Sequence, residues 1–196
     1  MICNSIAASL KACKPTRNGL SKIYVIAYHD LKLSLLGDAE YIEVDGVVTS
    51  LKMKNQRNFV EIQNANKSAL LKEMVTVFDN GSVEINQEFT LTLMTISAKN
   101  KMFVNALIST PVVFLNKTKN GEWLIIGLDG NLTLKDVNGE VNETSNQRTL
   151  TFAGTALQLI SEIDASIVPS LISPPEWVDT NKNGFNYTLG MVLKAT

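Results

Sequence analysis

The sequence predicts a mainly β protein of the α+β class, in which one helix lies among many strands. Three observations support this: apolar and polar residues alternate along several segments, Asn-Gly and Asp-Gly pairs separate them, and a single segment has helical spacing. The chain has 196 residues, of which 45% are hydrophobic, and this is enough to form the core of one domain of ordinary size.

The most informative segment is a predicted long hairpin over residues 70–96, with its turn at Asp79-Asn80-Gly81-Ser82. After the turn, the odd positions read Val83, Ile85, Gln87, Phe89, Leu91, Leu93 and Thr95, and the even positions read Glu84, Asn86, Glu88, Thr90, Thr92, Met94 and Ile96. Successive strand side chains point to opposite faces. The odd face is therefore expected to pack, apart from Gln87, and the even face to meet water until Met94.

The length of this hairpin predicts assembly rather than catalysis. At about 3.3 Å per residue, residues 83–96 would extend for roughly 45 Å, whereas an ordinary strand has five or six residues. A strand that outreaches the core of its own domain commonly pairs with a neighbour, so we expect homo-oligomers formed through this hairpin. The predicted contact residues between subunits are Leu71, Val75, Val77, Val83, Ile85, Phe89 and Leu91.

The remaining elements follow from shorter patterns. Strands are expected over residues 22–28, 41–46, 47–53, 58–63, 112–116, 123–126, 147–157 and 186–193, and turn signals interrupt residues 128–139. A helix is expected over residues 97–109, with Ser97 as its cap, Pro111 as its stop, and Met102, Phe103, Ala106 and Leu107 on one side.

Two regions are expected from the change in composition near residue 160. Residues 1–159 would form the β domain with a short N-terminal arm. Residues 160–196, which contain Pro169, Pro174 and Pro175, would form a C-terminal extension outside that domain.

Charge and motifs argue against an enzyme. The 18 basic and 19 acidic residues are mixed along the chain, so no basic surface for sequence-specific DNA binding is predicted. His29 is the only histidine, which excludes sites that need two. Neither a nucleophile elbow, a Walker loop nor a dinucleotide-binding glycine motif occurs. We therefore expect no catalytic residues and no cofactor.

Weaker signals favour structural roles. Residues 179–184 match the first half of a calcium loop, but Gly190 stands where a bidentate Glu is needed, so no metal site is expected. The spacing of Cys3 and Cys13 fits no zinc or redox motif, and two free thiols are expected. Trp123 and Trp177 are interpreted as core or interface anchors. No signal-peptide pattern or membrane-spanning apolar run appears, which predicts a protein that stays in the cytoplasm without a membrane partner.

An ordered set of motifs carries a family resemblance over residues 13–159. These motifs are Ile23-Tyr24-Val25-Ile26-Ala27-Tyr28, Phe89-Thr90-Leu91-Thr92-Leu93, the helix near residues 101–107, Val112-Val113-Phe114, Asn120-Gly121-Glu122-Trp123-Leu124-Ile125-Ile126-Gly127 and Leu150-Thr151-Phe152-Ala153-Gly154. In this order they resemble the tail tube and related ring proteins of tailed bacteriophages, above all those of phages of gut Bacteroides-like bacteria. Residues 160–196 depart from that pattern.

The resemblance implies two packed antiparallel sheets with a flanking helix, in a sandwich or barrel-like arrangement. It further implies a ring, hexameric in that family, whose inner wall is a continuous β-barrel formed with the long hairpins. The implied setting is the virion tail, assembled in the host cytoplasm, where other tail or connector proteins are neighbours and phage DNA passes without sequence recognition.

The polar face of the hairpin would then line the channel, and its candidate residues are Glu84, Asn86, Glu88, Thr90 and Thr92. Like charges in such a lumen would repel DNA phosphates, so that DNA slides without being held. The alternative is a cytoplasmic β-sandwich that binds a small ligand or glycan. It accounts for the two Trp residues and the turn-rich loops but leaves the length of the hairpin unexplained.

Overall fold

The computed structural model describes residues 19–34, 37–54, 57–62, 69–93, 96–142, 146–172, 186–188 and 191–193. Within these residues the protein is mainly β, as predicted, with two packed sheets and one main helix. The strands are β1 (Leu20–Ala27), β2 (Tyr41–Val44), β3 (Val47–Leu51), β4 (Val60–Glu61), β5 (Leu70–Val77), β6 (Val83–Leu93), β7 (Val112–Thr118), β8 (Trp123–Ile126), β9 (Thr133–Val141), β10 (Asn146–Ala156), β11 (Ser161–Ile163), β12 (Asn186–Thr188) and β13 (Met191–Leu193). The α-helices are α1 (Ala98–Leu107) and α2 (Val168–Leu171), and a 3-10 turn spans Tyr28–Asp30.

Two sheets account for eleven of these strands. One has seven strands in the order β2-β3-β11-β8-β7-β1-β4, and the other has four in the order β5-β6-β10-β9. All named strand pairs are antiparallel except β3 with β11. The short strands β12 and β13 form a separate antiparallel pair where one strand over residues 186–193 was expected.

A core of aromatic and branched side chains joins the two sheets. Phe114 of β7 lies between Phe89 of β6 and Phe152 of β10, with ring centroids 4.5 and 4.8 Å apart. Each of the three rings is fully buried, and Val104 and Leu107 of α1 belong to the same cluster. Burial of aromatic rings dominates core energetics, so this contact fixes the four-stranded sheet on the larger one.

The other face of the seven-stranded sheet carries a second core. Tyr24 and Trp123 pack there with a centroid distance of 5.9 Å, and Leu31, Phe59 and Leu171 are buried in the same cluster. The seven-stranded sheet is therefore buried on both faces. Trp123 serves as a core anchor, as expected, whereas Trp177 lies outside the described residues.

The expected boundary at residue 160 is wrong, because the core continues past it. β11 lies between β3 and β8 inside the seven-stranded sheet, and Val168 and Leu171 of α2 are 2% and 3% exposed in the second core. Pro169 does not break α2, since it occupies the first turn, where the missing N–H has no partner to lose.

Several local predictions are confirmed. The β2–β3 turn places Asp45 and Gly46 at φ values of 53° and 82°, as a two-residue hairpin turn requires. In the β5–β6 turn, Gly81 has φ of 80° and Asn80 accepts hydrogen bonds from Ser82.

The predicted helix is present, but its buried side differs. Ser97 caps α1 by accepting a hydrogen bond from the Asn100 amide at 3.2 Å. The buried side runs through Val104 and Leu107, while Met102 is 53% exposed. The buried side is set by the core cluster that both sheets share with the helix, and helical spacing alone does not reveal where that cluster lies.

β9 is a strand where turn signals predicted interruptions. It pairs along β10 through Asn138 and Gly139, with a bulge at Lys135. Gly139 does not adopt a left-handed backbone there, so the Asn-Gly pair forms no turn. Gly154 of β10 has a different role: a Cβ on it would lie 2.2 Å from the Asn131 carbonyl oxygen, so only glycine permits this approach.

Candidate assembly surface

The four-stranded sheet is half covered by the rest of the chain. On its covered face, residues of neighbouring strands that lie directly opposite one another form rows across the sheet. One such row contains Leu71 of β5, Phe89 of β6, Phe152 of β10 and Leu134 of β9. The next rows toward the β5–β6 turn contain Glu73 with Gln87 and then Val75 with Ile85. The position of a candidate residue along these rows therefore shows which face of the sheet it lies on and how far it is from the β5–β6 turn.

The predicted contact residues between subunits fall into two groups. Phe89 and Leu91 are fully buried in the core of their own chain, and Leu71 packs against it, so these three are occupied within one subunit. Val75, Val77 and Val83 are 48%, 68% and 58% exposed, and Ile85 is half-buried. The apolar face of the hairpin thus extends beyond the core near the turn.

The opposite face of the hairpin carries the predicted channel residues, and the structure places all of them together. Glu84, Asn86, Glu88 and Thr90 are half-buried, and Thr92 is buried beside Thr149 with their hydroxyl oxygens 3.3 Å apart. The Asn86 amide donates to the Glu84 carboxylate at 2.8 Å.

This polar face continues across the neighbouring strands. Thr149, Thr151 and Thr155 of β10 lie directly opposite Thr92, Thr90 and Asn86. On β9, Asp136 and Glu140 share the face, and on β5 Lys72 stands opposite Glu88. Since β9 was not predicted, its two carboxylates were missed by sequence reasoning.

Both outer edges of the four-stranded sheet are unpaired within the described residues. β5 has no proline and no bulge, and Leu70, Met74, Val75 and Val77 on it are exposed. β9 exposes Val137 and Val141 by 39% and 69%. Proteins usually protect edge strands with prolines, bulges or charges, and of these β5 has only the charges of Lys72 and Glu73. Its edge is therefore suited to pair with another strand that offers a partner for these charges.

A polar junction fixes the hairpin to the larger sheet. The Gln87 side chain, 5% exposed, donates to the Gln158 carbonyl at 3.1 Å, and the Ile160 amide donates to Glu73 at 2.7 Å. Gln158 in turn donates to the Tyr41 hydroxyl at 2.6 Å, and burial raises the pKa of Tyr41. Gln87 was the one polar exception on the predicted apolar face, and this junction explains it.

The lone histidine has a structural setting. His29 lies 3.7 Å from Asp30, and its side chain is 64% exposed. Asp30 is 3% exposed and pairs with the Arg57 Nε at 3.2 Å, while burial raises its pKa. No group of three or more His, Cys, Asp or Glu side chains suited to a metal occurs among the described residues. Cys3, Cys13 and residues 179–184 lie outside them.

None of the helices in the described part of the chain is long and apolar enough to cross a membrane. No protein-family model, curated protein or solved structure matches this chain.

Proposed function

We propose that the chain is a structural subunit of a tailed-bacteriophage tail, either a tail tube or a tail-ring protein, which assembles with copies of itself into a ring. The observation that carries this proposal is the four-stranded sheet, whose two edges are unpaired within the described residues and whose edge strand β5 has eight residues, no proline, no bulge and four exposed apolar side chains. Closing such sheets into one barrel removes every edge.

The strand directions suit this closure. Successive strands in the order β5-β6-β10-β9 alternate in direction, so β5 and β9 are oppositely directed. Copies related by rotation about a ring axis would therefore join β5 to β9 of the next copy as an antiparallel pair, which continues the alternation. This contact is head-to-tail, the type that generates rings when the rotation closes.

The two faces would then differ in environment. The apolar face packs on the seven-stranded sheet, which leaves the polar face with Glu84, Glu88, Asp136 and Glu140 for the channel wall. The carboxylates repeat in every copy, and their repulsion of phosphate favours passage of DNA without retention. The family resemblance adds three further parts to the proposal: a ring of six copies, tail or connector proteins as neighbours, and a location in the virion.

Electron microscopy of the purified protein tests the assembly. Rings or short tubes are expected at high concentration. A monodisperse monomer of 21.5 kDa that melts at a higher temperature with a small ligand or glycan would favour the ligand-binding alternative instead.

A charge reversal tests the channel. Rings of Glu84→Lys with Glu88→Lys are expected to retain DNA at low salt, because each lysine adds a contact that releases counterions from the phosphates. The matched control is Glu122→Lys with Glu162→Lys, two exposed glutamates outside the four-stranded sheet, which should retain less DNA than the channel variant. Equal retention by both variants, measured by filter binding, would place Glu84 and Glu88 outside the channel.

A further inference from the structure

The side chains on the two edges of the four-stranded sheet favour one register between neighbouring copies. We infer that β5 of one copy pairs with β9 of the next with an offset of six residues along the strands, which places Val75 opposite the neighbour's Val137. This inference rests on the proposed ring, and it specifies the contact within it.

The offset is counted from the rows of the sheet within one copy, where Leu71 and Leu134 lie in the same row with Phe89 and Phe152 between them. An offset of zero means that a row of one copy continues directly into the same row of the next. Joining copies without an offset would repeat this row and align Leu71 with Leu134 of the neighbour. The strands would then overlap only near Leu70–Lys72, and Val75, Val77, Val137 and Val141 would stay exposed.

The geometry of a closed barrel limits the choices. An odd offset would turn the apolar face of one copy to the polar face of the next, so the offset is even. With strands about 4.8 Å apart and a rise of about 3.3 Å per residue, offsets of two, four and six residues tilt the strands by roughly 20°, 35° and 45°. Barrels have tilts of about 35–45°, which leaves four and six.

Side-chain chemistry separates these two offsets on the apolar face. With six residues, Leu71 meets Val141, Val75 meets Val137, and Glu73 meets Gly139, whose missing side chain leaves the Glu73 carboxylate free to keep its bond to the Ile160 amide. With four residues, Glu73 would meet Val137 and Leu71 would meet Gly139.

The polar face favours the same offset. With six residues, Lys72 lies opposite Glu140 and Thr76 lies opposite Asp136. With four residues, Leu70 would face Glu140 and Met74 would face Asp136. Opposite charges and apolar pairs directly across two strands are stabilising, whereas an apolar residue facing a carboxylate gains nothing. Of the two, only the six-residue offset sets Val75 opposite Val137 and Lys72 opposite Glu140.

Disulfide trapping tests the offset. In a background of Cys3→Ser and Cys13→Ser, Val75→Cys with Val137→Cys should give a ladder of linked copies on a non-reducing gel, because directly opposite residues have the Cα separation that a disulfide needs. The matched control is Met74→Cys with Asp136→Cys, the pair that a four-residue offset brings together. Within one chain, neither pair can link, since β6 and β10 lie between β5 and β9.

We expect at least a tenfold higher yield of linked copies from the first variant. A higher or equal yield from the control, or rings seen by microscopy with no link in either variant, would overturn the offset and leave the proposed ring intact. A protein without rings and without links would overturn both.

A charge exchange gives a second measurement that does not depend on cysteine chemistry. Lys72→Glu should lower the fraction of assembled protein in sedimentation, because it places a glutamate opposite Glu140 of the next copy as well as opposite Glu88 of its own chain. Adding Glu140→Lys should restore assembly, whereas adding Glu122→Lys should not. Equal recovery by both second changes would contradict the pairing of Lys72 with Glu140.

Discussion

The seven-stranded and four-stranded sheets differ in how much of their surface the chain itself covers. The larger sheet has a hydrophobic core on each face, one shared with the smaller sheet and one closed by Leu31, Phe59 and α2. The smaller sheet packs by one face only, and its edges β5 and β9 are unpaired within the described residues. The first arrangement gives the fold its stability, and the second leaves backbone and apolar side chains available for another copy.

The difference also runs along a single strand. β6 changes from exposed Val83 to fully buried Phe89 within six positions of the same face, because the seven-stranded sheet covers only part of it. If the chain assembles as proposed, substitutions on the same hairpin should change stability and assembly separately.

The largest loss of stability is expected from a C-terminal truncation that removes β11 and α2. Removing residues 160–196 deletes β11 from between β3 and β8 and removes Val168 and Leu171 from the core, so the product should lose cooperative thermal unfolding. Removing residues 173–196 keeps all of these and should leave a cooperative transition by circular dichroism. If both products unfold cooperatively, β11 and α2 are dispensable for the fold.

Two substitutions on the hairpin should differ in their effect on stability, because one lies in its buried part and the other in its exposed part. Phe89→Ala removes a ring packed on Phe114 and should lower the free energy of unfolding by about 3–5 kcal/mol. Val77→Ala, at a side chain 68% exposed, should change it by less than about 0.5 kcal/mol in dilute, unassembled protein. Urea titration provides both values, and a loss from Val77→Ala as large as that from Phe89→Ala would mean that the hairpin end is covered within one chain.

An effect smaller than that of Phe89→Ala, and opposite in sign, is expected at Asn116, a polar side chain in the interface between the sheets. It shares the face of Phe114 on β7 and is fully buried, and among the described residues neither its amide nitrogen nor its oxygen has a hydrogen-bond partner. Asn116→Leu replaces these unsatisfied atoms with an apolar group of similar volume and should raise the free energy of unfolding by about 1 kcal/mol.

For a domain of this size, that change corresponds to a melting temperature higher by about 2–4 °C. Asn138→Leu, at an exposed position of β9, serves as the control and should leave the melting temperature nearly unchanged. A lower melting temperature for Asn116→Leu would show that the amide has a stabilising partner.

The sequence alone determined the features that depend on neighbours along the chain. The alternation after Val83 set the two faces of β6, Asp45-Gly46 and Asn80-Gly81 set the turns, and Ser97 set the start of α1. Each is local, since side-chain alternation, positive φ and helix capping act within a few residues.

Tertiary structure decided what depends on distant partners. β11 has only three residues, too few for a recognisable period, and it is a strand because β3 and β8 lie beside it. β9 overrides its turn signal because β10 provides a continuous line of hydrogen-bonding partners. The place where the seven-stranded sheet ends likewise determines which part of the hairpin is buried, why Gln87 finds a partner, and why Val75 and Val77 are exposed. Burial depends on packing between segments far apart in the sequence.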